Sequence, residues 1–143
     1  MAVSIPSNAI KNLQQMEVVV AGPDDANRLF IIDGQLTCTV TAGSASIEWA
    51  NVKEIFSVLV GPVFTRKQFL KANATASLAH TLTSTTGQAV SWQIENVDAD
   101  WDDESGQVEL TIEINVGAEG QNQIAQILGL AFHVTILAAV SAA

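Results

Sequence analysis

Between residues 70 and 118, apolar and polar positions alternate with period two. Ala72, Ala74, Ala76, Leu78, His80 and Leu82 fall in one phase, and Asn73, Thr75, Ser77, Ala79 and Thr81 in the other. Alternation of this kind sends successive side chains to opposite faces of a strand. STTGQ at 84–88 then supplies turn residues. Val90, Trp92 and Ile94 resume the alternation, after which the phase slips by one to Val97, Ala99 and Trp101. DESG at 103–106 predicts a tight connection, with Gly106 free to take a positive φ. The return strand is regular throughout, with Val108, Leu110, Ile112, Ile114 and Val116 set against Glu109, Thr111, Glu113 and Asn115.

The phase slip predicts a register. If Asp102 pairs with Gln107, then Trp101 meets Val108, Ala99 meets Leu110 and Val97 meets Ile112. Ile94 reaches Ile114, and Trp92 reaches Val116, only with one extra residue at Glu95–Asn96. That is the signature of a β-bulge, since a one-residue error would turn every side chain over. The same pairing extended backwards sets Leu82 against Val90, His80 against Trp92 and Leu78 against Ile94. It also lays small Ala74 and Ala76 beside bulky Trp101 and Val97, and makes His80 a buried, hydrogen-bonded imidazole. These strands run to about 12–14 residues, roughly 40–46 Å at strand rise, where five or six residues are usual.

Near the C-terminus, Leu128, Leu130, Phe132, Val134 and Ile136 share one face, and Ala131, His133 and Thr135 the other, which predicts a strand. QLTCTVTAGSASIEW at 35–49 is expected as a hairpin turning at Ala42–Ser44. Trp49, Val52, Phe56 and Leu59 have near-helical spacing, so a helix over 47–59 competes with a strand there. MEVVVAG at 16–22 and RLFII at 28–32 are short strand candidates, with Pro23-Asp24-Asp25 opening a helical turn between them. The first fifteen residues are weakly patterned and are expected to form an arm. The expectation is one domain over 1–143. Its class is mostly β, an antiparallel β-sandwich, jelly-roll-like or meander-rich, with at most one or two short helices.

Composition adds to this picture. The 143 residues are 48% hydrophobic and only 15% charged, a globular composition with sparsely charged surface. A chain of this length buries about 70% of its unfolded surface and requires no staple. Net charge is −9, from six basic residues against fifteen acidic ones, which disfavours nucleic acid as a partner. The one basic cluster, Arg66, Lys67 and Lys71, is expected on a solvated stretch at the domain edge. Cys38 is the sole cysteine, so an intramolecular disulfide is impossible, and its place in LTCTV predicts a small buried apolar role. No signal peptide is visible at the N-terminus. The apolar tail IAQILGLAFHVTILAAVSAA is interrupted by Gln126, His133 and Thr135, so a membrane span is not expected. The compartment stays open, with extracellular or virion assembly compatible.

The candidate chemistry centres on NVDADWDDESGQ at 96–107. Asp98, Asp100 and Asp102 begin like an EF-hand loop, but Asp103 stands where that loop needs glycine, and no helices flank it. A sheet-surface calcium site is the better form of the idea. It would be built from Asp98, Asp100, Glu109 and Asn73, with Asp100 opposite Glu109 and Asn73 on its other side. Like charges directly opposite destabilise a strand pair, so a cation, a basic partner or water should sit there. The bland alternative is an acidic hairpin that blocks edge aggregation. Glycosidase chemistry requires a cleft that the pattern does not supply. His80 and His133 have no metal spacing, and GxSxG and phosphate-binding glycine loops do not occur. No catalytic residue and no required cofactor is assigned. The expected function is a non-catalytic structural subunit that self-associates into a homo-oligomer or polymer, as in a virion, surface layer or extracellular filament. A calcium-dependent binding module using the 98–109 hairpin is the alternative.

Overall fold

The computed structural model describes residues 2–20, 27–44, 48–84, 89–120 and 123–140. Eight strands account for about 80% of them: β1 (Val3–Ile5), β2 (Lys11–Val20), β3 (Asn27–Ser44), β4 (Trp49–Val60), β5 (Phe69–Thr83), β6 (Val90–Trp101), β7 (Val108–Glu119) and β8 (Gln123–Ala139). A single 3-10 turn, Ser7–Ala9, joins β1 to β2. Two four-stranded sheets pack face to face, in the orders β1-β4-β7-β6 (sheet A) and β2-β3-β8-β5 (sheet B). All neighbours are antiparallel except β1 and β4. The fold is therefore a β-sandwich. Consecutive strands pair only at β2–β3 and β6–β7. The long pairs β3–β8 and β4–β7 are nested, as in a roll rather than a meander.

The core lies between the central strands. Val108, Leu110, Ile112, Ile114 and Val116 of β7 are all fully buried, as are Leu130, Val134 and Ile136 of β8. Each such side chain contributes about 1.5–3 kcal/mol on burial. β-Branched residues dominate because two heavy atoms on Cβ suit a pleated, packed surface. Cys38 belongs to this core, with Sγ 3.7 Å from the Ile127 carbonyl oxygen. Burial pushes its thiol above the ordinary range and keeps it protonated.

The β6–β7 hairpin has the expected register residue for residue. Trp101 faces Val108, Val97 faces Ile112, and the bulge falls between Ile94 and Asn96. The pairing inferred for the preceding strand is overturned. β5 pairs with β8, so Ala74 meets Val134, Ala76 meets Phe132 and Leu78 meets Leu130. β5 and β6 are instead the edges of opposite sheets, lying alongside one another. Alternation shows which face a residue occupies and not which strand lies beside it. Register shifts on either side of His80 also turn the end of β5 over. His80 is exposed opposite Gly129, and Leu82 is 48% exposed rather than buried.

Residues 49–60 form β4, not a helix. β3 continues to Ser44 and passes to the other sheet, so 35–49 is not a hairpin. The near-helical spacing arose because β4 runs half-buried at its start and buries Phe56, Val58 and Val60 at its end. Leu128 is half-buried, while Ile127 takes the inward position, because the β3–β8 register shifts between Thr37 and Val40. Pro23-Asp24-Asp25 lies outside the described residues. The N-terminal segment crosses from one sheet to the other. Ser7 Oγ donates to the Leu59 carbonyl at 2.8 Å, and Ile10 tucks over Gly34, where a Cβ would stand 2.6 Å from Ile10 Cγ2 and 2.7 Å from Phe132 Cζ.

Candidate functional site

The turn after β6 is built by Asp102. Its Oδ2 accepts the Ser105 hydroxyl at 2.6 Å and the Ser105 N–H at 3.0 Å, and its carbonyl accepts the Gly106 N–H at 2.8 Å. The Ser105 hydroxyl, followed by the Ser105 backbone, holds the Asp102 carboxyl below the usual carboxylate range. Gly106 has φ +76°, and a Cβ there would meet Val63 Cγ1 at 2.8 Å. The connection 61–68 closes onto this turn, with the Phe64 N–H donating to the Gly106 carbonyl at 2.7 Å. Trp101 Nε1 donates to the Phe64 and Gly106 carbonyls at 3.1 and 3.0 Å. Arg66 lies over the Trp101 ring, 5.8 Å from its centroid, and with Phe69 and Asp100 the two line a shallow cleft of about 290 Å³.

The expected calcium ligands are brought together only in part. Asp100 stands opposite Glu109 and Asp98 opposite Thr111, as expected, on the outer face of sheet A. Asn73 does not join them. It pairs with Thr135 of β8 on the outer face of sheet B, because β5 belongs to the other sheet. Among the described residues no group of three or more His, Cys, Asp and Glu side chains could hold a metal ion. Asp100 Oδ1 accepts the N–H of Trp101 at 2.8 Å.

A cluster that sequence reasoning missed lies on the outer face of sheet B. His133 Nδ1 is 2.6 Å from Asp33 Oδ1, and His133 Nε2 is 3.1 Å from Thr135 Oγ1. Cross-strand pairing makes this contact, since Asp33 faces His133 directly. Sequence separation of 100 residues hid it. The order carboxylate, imidazole, hydroxyl is that of an acyl-transfer triad. Oxyanion stabilisation needs N–H donors aimed at the substrate. Backbone N–H groups within a sheet point along the ladder, not out of its face. The pair ties β3 to β8 and supplies no evident reaction.

The remaining unusual element is β2, an edge strand that among the described residues pairs only with β3. Its neighbours show where each side chain points. Gln15 and Glu17 lie opposite Ile32 and Phe30, on the core side, whereas Met16 and Val18 lie opposite Ile31 and Leu29, on the outer side. Leu29 in turn meets Leu137 of β8. β2 thus turns Gln15 and Glu17 to the core side and Met16 and Val18 to solvent, while apolar Val19, opposite Arg28, also lies on the core side. Nine of its ten residues are exposed, including Met16 at 60% and Val19 at 54%. Glu17 pairs with Arg28 at 3.4 Å on the polar side.

Compared with protein-family models, curated proteins and solved structures, the chain matches none. Among the described residues no helix is long and apolar enough to cross a membrane.

Proposed function

We propose that the chain is a non-catalytic structural subunit that self-associates into a homo-oligomer or a larger assembly. Virion components, surface layers and extracellular filaments are assemblies of this kind. The supporting observation is the outward apolar face of β2 with Ile31, Leu29 and Leu137 beside it. Large apolar side chains grouped at a sheet edge expose both hydrophobic area and unpaired backbone groups, and association covers both. The low charge of the chain, 15% of residues, points the same way. Sedimentation velocity across a concentration series, followed by negative-stain microscopy, tests this. Self-association in the micromolar range is expected, and a monomer at every concentration would contradict it.

A further inference from the structure

The four sheet edges differ in how they are protected. β1 is three residues long and pairs with Phe56–Val58, and the open half of β4 carries Lys53 and an inward-facing Glu54 opposite Ile114. β6 has its bulge at Ile94/Asn96, the acids Asp98 and Asp100, and a backbone N–H taken up by Asp100. β5 is broken by three register shifts and lies beside β6. Bulges, inward charges and short strands are the devices that keep edges from pairing. β2 has its register shift before Gln14, keeps unbroken register with β3 from Gln14 to Val20, and pairs its one core-side charge there, Glu17, with Arg28 at 3.4 Å. Its exposed apolar residues also lie on both sides of the strand. Met16 and Val18 point outward and Val19 towards the core side, at 60%, 37% and 54% exposure. Packing a partner on one sheet face covers only one of these sets, whereas a strand added at the edge reaches both.

We infer that the partner at this edge is the β2 strand of a second copy, paired antiparallel about a dyad close to Gln15. This joins the two sheets B into one continuous eight-stranded sheet, and it rests on the self-association proposed above. Charge selects this partner and direction. The strands of sheet A carry Glu54, Glu95, Asp98, Asp100, Glu109, Glu113 and Glu119 against Lys53 alone, so two copies repel through that side. The strands of sheet B carry Glu17 and Asp33 against Lys11, Arg28 and Lys71, close to balance. Within β2, Lys11 stands near one end and Glu17 towards the other. Antiparallel pairing brings each Lys11 to the half of the partner strand that holds Glu17, whereas parallel pairing sets like on like. A dyad at Gln15 rather than at Glu17, the middle of the unbroken run, keeps the two Glu17 carboxylates from standing directly opposite each other. A dyad contact is self-complementary and closes at two subunits.

The test is crosslinking of a Gln15→Cys variant with a short bis-maleimide. Wild type, whose Cys38 is buried, and Thr111→Cys on the outer face of sheet A serve as controls. Alongside it, sedimentation velocity compares wild type with the double variant Met16→Lys, Val19→Lys. Both of those positions are exposed, and a thermal melt checks that the fold is retained. Efficient covalent dimer from Gln15→Cys alone, with a dissociation constant raised at least about tenfold in the double variant, is the expected result. Self-association that persists in the double variant, without a Gln15→Cys crosslink, overturns the β2 interface and leaves the proposed function standing. A wild-type protein that stays monomeric and uncrosslinked overturns both.

Discussion

Asp102 and Ser105 hold the turn between β6 and β7 through two hydrogen bonds onto one carboxylate oxygen. Because these bonds favour the charged form, the folded-state titration of Asp102 is depressed. The sign follows from linkage. The contribution is present above the unfolded-state value and is lost as pH falls through the lower folded value. Ser105→Ala is therefore expected to move the Asp102 titration up towards the ordinary aspartate range, read by carboxyl carbon NMR. A titration that does not move would contradict this role. The side chains of this turn were legible in the sequence, since a positive-φ glycine after a polar tripeptide has few other uses. Its docking onto Phe64 was not, because nothing local to DESG points to a residue some forty positions earlier.

At the level of strands, buried side chains and exposed ones answer to different demands. β7 sits between β4 and β6 with one face sealed by the opposite sheet, so its apolar residues are fixed by packing. Ile112→Ala is expected to cost about 2–5 kcal/mol, the transfer loss plus a cavity. Met16→Ala in β2 is expected to change monomer stability by less than about 0.5 kcal/mol, although both remove a large apolar side chain. Urea denaturation at a concentration where the protein is dissociated checks the contrast. The β6–β7 register could be read in advance because its bulge breaks the pattern at one place and two strands must absorb it together. β5 carried no such mark against β8. Its alanines fit beside Trp101 and Val97 on paper as well as they fit beside Val134 and Phe132. The expected place of Asn73 beside Asp100 was lost with that pairing. In β2 the run Met16 to Val20 was visible as a strand, but the direction of its apolar face depends on β3 and could not be read from β2 alone.

Across the whole molecule, the two sheets divide the labour. Sheet A and its β6–β7 turn carry ten of the fifteen acids that give the chain its net charge of −9, and sheet B carries the least protected edge. A sandwich so polarised repels copies of itself from one side and admits them from the other. The sandwich class was legible from the number of long alternating segments, while its nested order was not, since alternation carries no information on partners. The central claim is that the free edge of β2 is an interface between copies. Amide hydrogen exchange of residues 14–20, followed in dilute and in concentrated protein, tests it most directly. Amides that bond to β3 should be protected at both concentrations. The alternate amides on the free edge should gain protection only when the protein is concentrated. Free-edge amides that exchange equally fast at every concentration, while the protein associates, would contradict the account.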